Sequence, residues 1–365
     1  MSDVPILSLE SADVQTIKKS AFTLTYEGEY HDSLFIEHIP SIDVAPNGVV
    51  YISAERHRVR AVYQFSPKGE LLDTLGRYGN QAGEFESIRN VRVNGDTLHV
   101  FDDQLRRVTR FDLEHNQTLG STEFHSALYQ VEDDSVVYFP APIQLMQDGN
   151  YLIEYRDDRD PAIFYGRSRF YRRGNHDGEI QKLNLFSLKE DHFLIGDHAG
   201  RPSAFQLPYP ERSLITETVN GVFFTARTTE FEIVERDLSG EIIRKITYPF
   251  ARATLDAERL VSEQFSHNRQ LQLTRESAIY PQTWPAIYTM LTDDSGNIWV
   301  AMIPENENVF EWWILNPVHE TSPVEAIFNW PRESMIQTVK NGSVYAVEQD
   351  HDGFKKVVRY STQQL

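Results

Sequence analysis

The chain contains no cysteine. That excludes disulfides, cysteine-bearing zinc sites and thiol catalysis. No stretch approaches the roughly 18 apolar residues that a membrane-crossing helix needs. The start, Met1-Ser2-Asp3-Val4-Pro5-Ile6-Leu7, lacks the basic residues and apolar run of a secretory leader. The chain is therefore expected to be either a mature periplasmic or cell-surface domain without its export signal, or cytoplasmic. Basic residues are few, with 35 Lys and Arg against 54 Asp and Glu and a formal net charge of −19. Phosphate backbones and anionic lipid surfaces are bound by clustered Lys and Arg, so neither nucleic acid nor a membrane is expected as partner. A local basic patch is compatible with this balance. Common catalytic signatures are missing as well. There is no P-loop and no Gly-x-Ser-x-Gly elbow. His319-Glu320 is followed by Thr321-Ser322-Pro323, so no H-E-x-x-H zinc helix is present. Gly76, Gly79 and Gly83 lack the dinucleotide-binding spacing and read as a turn.

A length of 365 residues fits two or three ordinary domains, or one large repeat-built domain. A hydrophobic fraction of 40% is enough for a real core. The 17 Tyr and 21 Phe, with many Val, Ile and Thr, favour strands, and Gly and Pro interrupt them at short intervals. One unit recurs: an apolar strand, a tight turn ending in Gly, and a second apolar strand. It reads Ile42-Asp43-Val44-Ala45-Pro46-Asn47-Gly48-Val49-Val50-Tyr51-Ile52, and returns as Val91-Arg92-Val93-Asn94-Gly95-Asp96-Thr97-Leu98-His99-Val100. Further copies surround Gly149, Gly221, Gly296 and Gly342. The six glycines are 47, 54, 72, 75 and 46 residues apart. Units this long are too large for two-strand solenoid coils and suit four-stranded propeller blades. Val62-Tyr63-Gln64-Phe65 and Leu71-Leu72-Asp73-Thr74-Leu75 are third and fourth strands, as are Phe231-Glu232-Ile233-Val234 and Ile242-Ile243-Arg244-Lys245-Ile246.

The last unit ends soon after its third strand, Val357-Val358-Arg359-Tyr360. The alternating segment Ala21-Phe22-Thr23-Leu24-Thr25-Tyr26 is left over at the start. The expectation is that it completes the sixth blade and closes the ring, which removes an exposed edge. The fold class is thus all-β: a six-bladed β-propeller of four-stranded antiparallel blades over 21–365, preceded by an N-terminal extension over 1–20.

Three segments carry a family likeness. Tyr63-Gln64-Phe65-Ser66-Pro67-Lys68-Gly69-Glu70 and Leu75-Gly76-Arg77-Tyr78-Gly79-Asn80-Gln81-Ala82-Gly83-Glu84-Phe85 resemble the NHL-type repeat, as does Asp43–Ile52. The whole chain looks like a bacterial six-bladed NHL-like propeller, a class often exported or lipid-anchored. The likeness is strong over 35–115 and carries fold better than activity, because binding proteins, lactonases and lyases share this scaffold.

Strand parity sorts the loops. The A–B and C–D turns lie on one face, and the B–C loops and D–A crossovers on the other. Insertions at about 155–168, 183–209 and 247–285 are read onto the second face as a lid over the central channel, or as decoration packed on the rim. In the third, Thr254 is expected to cap a helix bearing Ala257, Leu260, Val261 and Phe265 on one stripe. Glu348-x-Asp350-x-Asp352-Gly353 imitates the first half of an EF-hand loop, but Arg359 stands where a bidentate carboxylate is needed. Solvated loop acids are the plainer reading, and the same holds for Asp157-Asp158-x-Asp160. Asn116-Gln117-Thr118 and Asn341-Gly342-Ser343 match the glycosylation triplet without further meaning.

Residues just before the innermost strands, His38, Arg89, Tyr209, Trp284 and Arg332, are expected to face the channel mouth. Arg56 and His57 follow the first B strand, Asp102 and Asp103 the second, and Tyr155 and Arg156 lie in the third B–C loop. Guanidinium and aromatic groups there suit an anionic or carbohydrate-like ligand. The competing reading is that Arg and Asp pair across the channel and fill it. The expected function is non-catalytic binding of a small molecule, glycan or peptide at this mouth. One alternative is a calcium-dependent lactonase or esterase-like hydrolase with its metal on the axis, which needs converging oxygens. Asn90 is one candidate ligand, with Glu348, Asp350 and Asp352 as weaker ones. The other alternative is a protein–protein platform. No cofactor is expected, with calcium left open.

Overall fold

The computed structural model describes residues 4–9, 14, 17, 22–30, 36–124, 129–130, 137–157, 168–189, 193–198, 201–205, 211–218, 220–264, 280–305, 308–319 and 321–364. It is a six-bladed β-propeller. Strands A to D of blade 1 are Ile42–Val44, Val50–Arg56, Val59–Phe65 and Leu71–Leu75. Those of blade 2 are Ile88–Asn94, Thr97–Asp102, Arg107–Asp112 and Gln117–Glu123. Blade 3 comprises Val137–Leu145, Tyr151–Asp157, Ser168–Gly174 and Phe186–Lys189. Blade 4 comprises Ser213–Glu217, Phe223–Arg227, Glu232–Arg236 and Ile242–Thr247. Blade 5 comprises Thr289–Thr292, Ile298–Met302, Val309–Leu315 and Val324–Pro331. Blade 6 comprises Met335–Lys340, Ser343–Gln349, Lys355–Gln364 and, from the other end of the chain, Phe22–Tyr30.

Each B strand is buried on both faces, so alternate side chains serve two different cores. Tyr51 packs between blades 1 and 2, whereas its neighbour Ile52 packs between blades 6 and 1. Six such clusters lie around the ring, one between each pair of adjacent blades. The hydrophobic effect therefore drives closure, since an open blade would expose one whole face.

The closing strand runs antiparallel to Lys355–Gln364 with Tyr26 opposite Tyr360 and Tyr30 opposite Val357. It is longer than the sequence expectation, reaching Tyr30. The six turn glycines all adopt positive φ, from +57° at Gly95 to +88° at Gly296. At Gly48 a Cβ would come within 3.2 Å of Pro67, which puts the A–B and C–D turns of blade 1 side by side on one face.

The insertions depart from expectation in two places. The range 183–209, expected to form one D–A crossover, is divided. Phe186–Lys189 within it is instead the D strand of blade 3, hydrogen-bonded to Ser168–Tyr171. The hairpin Leu194–His198 and Arg201–Phe205 follows. The helix in the third insertion, Ala257–Gln264, is capped by Asp256, whose Oδ1 accepts from the Arg259 amide at 3.0 Å. Thr254 forms a bridge with Thr283 instead. A carboxylate one residue before the helix suits the N-terminal dipole and leaves Thr254 to extended pairing. Ala257 and Leu260 pack on the core between blades 5 and 6. Phe265 lies outside the described residues.

The N-terminal residues are bound to the ring. Ile6–Ser8 adds as a parallel strand outside Ile242–Thr247 of blade 4, and Leu9 and Val14 are buried between blades 4 and 5.

Candidate functional site

The B–C loops and crossovers share one face, and two groups of sequence-expected residues gather there. The first lies where blades 2 and 3 meet. Glu154 stands on strand B of blade 3 and is 1% exposed. Its two carboxylate oxygens receive the Arg89 fork at 3.3 and 3.0 Å. Arg156 Nε donates to the same carboxylate, and Arg169 lies 3.9 Å away. Arg156 also reaches Asp103 at 3.4 Å. Arg89, Arg156 and Asp103 are thus brought together around a glutamate at the seam of two adjacent blades. The hub, Glu154, was missed. The only signal for it is one carboxylate inside an otherwise apolar strand, Tyr151-Leu152-Ile153-Glu154-Tyr155.

Two of the expected residues are turned into the protein here. Asp102 is fully buried and clasps backbone: Oδ2 accepts from the Glu86 amide at 2.7 Å and Oδ1 from the Leu105 amide at 2.8 Å. Burial raises its pKa against those bonds. Tyr155 is fully buried in the core between blades 2 and 3 with the Arg172 guanidinium 4.9 Å over its ring. Strand alternation turns it inward, away from the mouth.

The second group lines a cavity of about 770 Å³ formed by the 5→6 and 6→1 crossovers and the B–C loop of blade 6. His38, Arg332, Glu348 and Asp350 all face it, with Trp330, Lys355 and Tyr360. The Arg332 guanidinium lies 4.6 Å over the ring of Trp284 and 5.4 Å over that of Phe310. Trp284 is buried beneath it and supports the wall without lining it. Glu348 Oε1 accepts from Ser334 Oγ and Tyr360 Oη, both at 2.8 Å. Burial and that carboxylate push the Tyr360 phenol well above its ordinary value. Met335 and Gln337 are shared with a second cavity of about 390 Å³ on the axis, lined also by Ser41, Arg212 and Tyr288.

Arg56 and His57 lie on the tip of blade 1, and the Arg56 guanidinium lies 5.6 Å over the ring of Phe354 in the B–C loop of blade 6. Arg56 is 3.7 Å from Glu37, and His57 is exposed. Tyr209 lies outside the described residues.

The calcium candidates do not converge. Asn90 ties three blades together: its Oδ1 accepts from Ser41 Oγ at 2.7 Å and its Nδ2 donates to the Ile143 carbonyl at 3.1 Å. Asp350 Oδ1 accepts from the amides of Asp352 and Phe354, which is turn closure. Asp352 pairs with His351 at 3.2 Å in solvent. Among the described residues no three His, Asp or Glu side chains could hold one ion. A half EF-hand closes its own turn because nothing at Arg359 supplies the missing oxygens.

At the other end of the channel, polar groups missed by sequence reasoning bridge neighbouring blades. Lys340 Nζ meets Asp43 Oδ1 at 2.6 Å, joining blades 6 and 1, and Asp43 Oδ2 accepts from the Val93 amide of blade 2. Glu217 of blade 4 accepts from Gln144 Nε2 at 2.9 Å and the Gln147 amide at 3.0 Å, both of blade 3. Burial raises its pKa to about 7. A carboxyl group with a raised folded pKa opposes folding once it ionises, so stability falls as pH rises from about 4.5 through 7, by on the order of 3 kcal/mol. Glu217→Gln is expected to raise the urea midpoint at pH 8 and leave it unchanged near pH 4, measured by fluorescence.

No family model matches the chain, and no curated protein matches it either. The likeness is to solved structures. A virginiamycin B lyase from Staphylococcus aureus is 12% identical over 93% of this chain and 99% of its own, with a TM-score of 0.47. A PQQ-bound aldose sugar dehydrogenase from Streptomyces coelicolor is 10% identical over 95% and 100%, also at 0.47. An exported protein from Bacteroides fragilis is 11% identical over 98% of this chain and 99% of its own, with a TM-score of 0.53, so this chain shares that protein's fold over nearly its whole length.

Proposed function

We propose that this propeller binds a small polar ligand, best matched by a glycan fragment, in the cavity between blades 5, 6 and 1. The observation that carries the reading is the Arg332 guanidinium stacked on Trp284 and Phe310 in the wall of a cavity of about 770 Å³. That volume lies in the range usual for ligand sites. Charges in the wall nearly balance, with Arg332 and Lys355 against Glu333, Glu348 and Asp350. Carboxylates and amides accept from hydroxyls, a guanidinium donates to them, and the aromatic rings of Trp330 and Tyr360 offer apolar faces. The axial hydrolase is not favoured, because the oxygens it requires do not gather among the described residues. The repeat is proposed to be NHL-like. An extracytoplasmic location is proposed from the sequence reading, and a named exported protein of the same fold is consistent with it.

Calorimetric titration against a panel of neutral and acidic oligosaccharides and short peptides tests this. A binder is expected whose affinity falls about tenfold or more in Arg332→Ala, equivalent to about 1.4 kcal/mol. The reading fails if nothing in the panel binds, or if the binder is indifferent to Arg332.

A further inference from the structure

Only four non-glycine residues among those described adopt left-handed backbone. Two are Asn116 and Asn341, a residue type that tolerates this region. The other two, His57 at φ +45° and Arg106 at φ +52°, sit on the B–C turns of blades 1 and 2. Glycine or asparagine would be cheaper there, yet both positions carry a basic residue. Backbone strain of this kind is characteristic of functional surfaces.

The surroundings sharpen the point. The blade 1 tip reads Arg56-His57-Arg58. Arg56 is 43% exposed, and Arg58 is exposed with no ion pair among the described residues. Arg106 spreads over Phe139 of blade 3 at 4.4 Å and likewise makes no ion pair among the described residues. The described carboxylates of this region are mostly recessed beneath the cations. Asp102 and Glu154 are buried, and Glu55 and Asp103 are about one-fifth exposed and paired with arginines. Among the described carboxylates of this region, Glu37 stands well out, beside Arg56. Across the same face the tips are acidic, with Glu305, Glu333 and Asp352 exposed on blades 5 and 6 and their connections. Among the described residues, a chain of net charge −19 thus exposes Arg56 and Arg58 at the tip of blade 1.

We propose that the turns of blades 1 and 2 form a docking ridge for an acidic polysaccharide, whose carboxylates pair with Arg56, Arg58 and Arg106. Arginine forks match carboxylates two bonds at a time. A uronate chain carries one charge per sugar, whereas duplex DNA carries one per ~1.7 Å and meets much stronger repulsion from the rest of an acidic protein. None of the three arginines lines the cavity beside Arg332, although Arg56 borders it through Phe354, and the proposal does not depend on that cavity's ligand.

Retention of the purified chain on immobilised polygalacturonate is the test, with neutral dextran and single-stranded DNA matrices alongside. Retention is expected at about 30 mM NaCl and release by about 300 mM, where screening shortens the reach of charge pairs. Arg56→Glu/Arg58→Glu is expected to weaken binding about tenfold or more. Arg106→Gly, whose backbone suits glycine, is expected to keep the melting temperature and still bind more weakly. Arg332→Ala should be retained like the parent, which separates this ridge from the cavity. Absence of retention, retention unaffected by the double charge reversal, or tighter retention on DNA would overturn the proposal.

Discussion

A chain lacking residues 1–30 is expected to lose the native fold and aggregate. Phe22–Tyr30 is the outer strand of blade 6 and pairs along nearly all of Lys355–Gln364. Without it, that strand presents an unpaired edge, which templates association with other chains. The strand also carries packing. Tyr30 is 2% exposed and meets Phe65 edge-on at 5.9 Å and Tyr345 at 6.1 Å. Glu29 pairs with Lys356 at 2.7 Å and Glu27 with Arg359 at 2.9 Å. Removing the segment strips the outer edge of blade 6 and takes side chains from the seams on both of its faces, Tyr30 toward blade 1 and Phe22 and Leu24 toward blade 5. Size-exclusion chromatography should show the truncated chain in the void volume. A synthetic peptide spanning 1–30, added during refolding, is expected to restore a monomer, by strand addition at blade 6 and by returning Leu9 and Val14 to the core between blades 4 and 5. Tyr30→Ala alone is expected to cost about 3–5 kcal/mol by leaving a cavity in the seam, read from the urea midpoint. A truncated chain that refolds unaided as a monomer would show that the ring closes without this strand.

The ring was legible because its determinants are local. A hairpin turn with positive φ needs glycine, so Gly48, Gly95, Gly149, Gly221, Gly296 and Gly342 mark six A–B turns at a blade-like spacing. The leftover alternating strand at the start and the missing one at the end pointed to each other. Other features depended on partners far along the chain. Glu154 meets Arg89 across 65 residues, and Glu217 meets Gln147 across 70. Nothing near either carboxylate announces its partner. The cavity drew on His38, Arg332 and Glu348, which parity placed on the correct face but could not bring into one wall. Tyr155 was misplaced because a position after a strand was read as a loop when the strand continued to Asp157. The helix cap moved from Thr254 to Asp256 because either residue type can cap, and pairing with Thr283 decided between them.

Glu154→Ala is expected to be the most damaging point substitution on the crossover face. The carboxylate is 1% exposed and is approached by Arg89, Arg156 and Arg169. Truncating it leaves three guanidinium groups around a desolvated site with no anion. Breaking a buried pair by removing one partner typically costs about 3–5 kcal/mol, because the surviving charge stays buried. The three arginines do not share that cost equally. Arg156 is 38% exposed and keeps Asp103 at 3.4 Å, so it can turn toward water. Arg169 is 20% exposed but stands 3.9 Å off, whereas Arg89 loses both bonds of its fork, so the largest penalty falls on Arg89. This makes a double substitution informative. Glu154→Met with Arg89→Met removes the principal pair together and is expected to recover much of the loss, since apolar side chains of similar length replace both charges. Urea denaturation of the parent, both single variants and the double variant gives the coupling energy directly, with an unchanged slope confirming the same unfolded reference. A loss below about 1 kcal/mol in Glu154→Ala would place this cluster with ordinary surface ion pairs. The carboxylate would then not be what fastens blade 3 to blade 2 at the channel mouth.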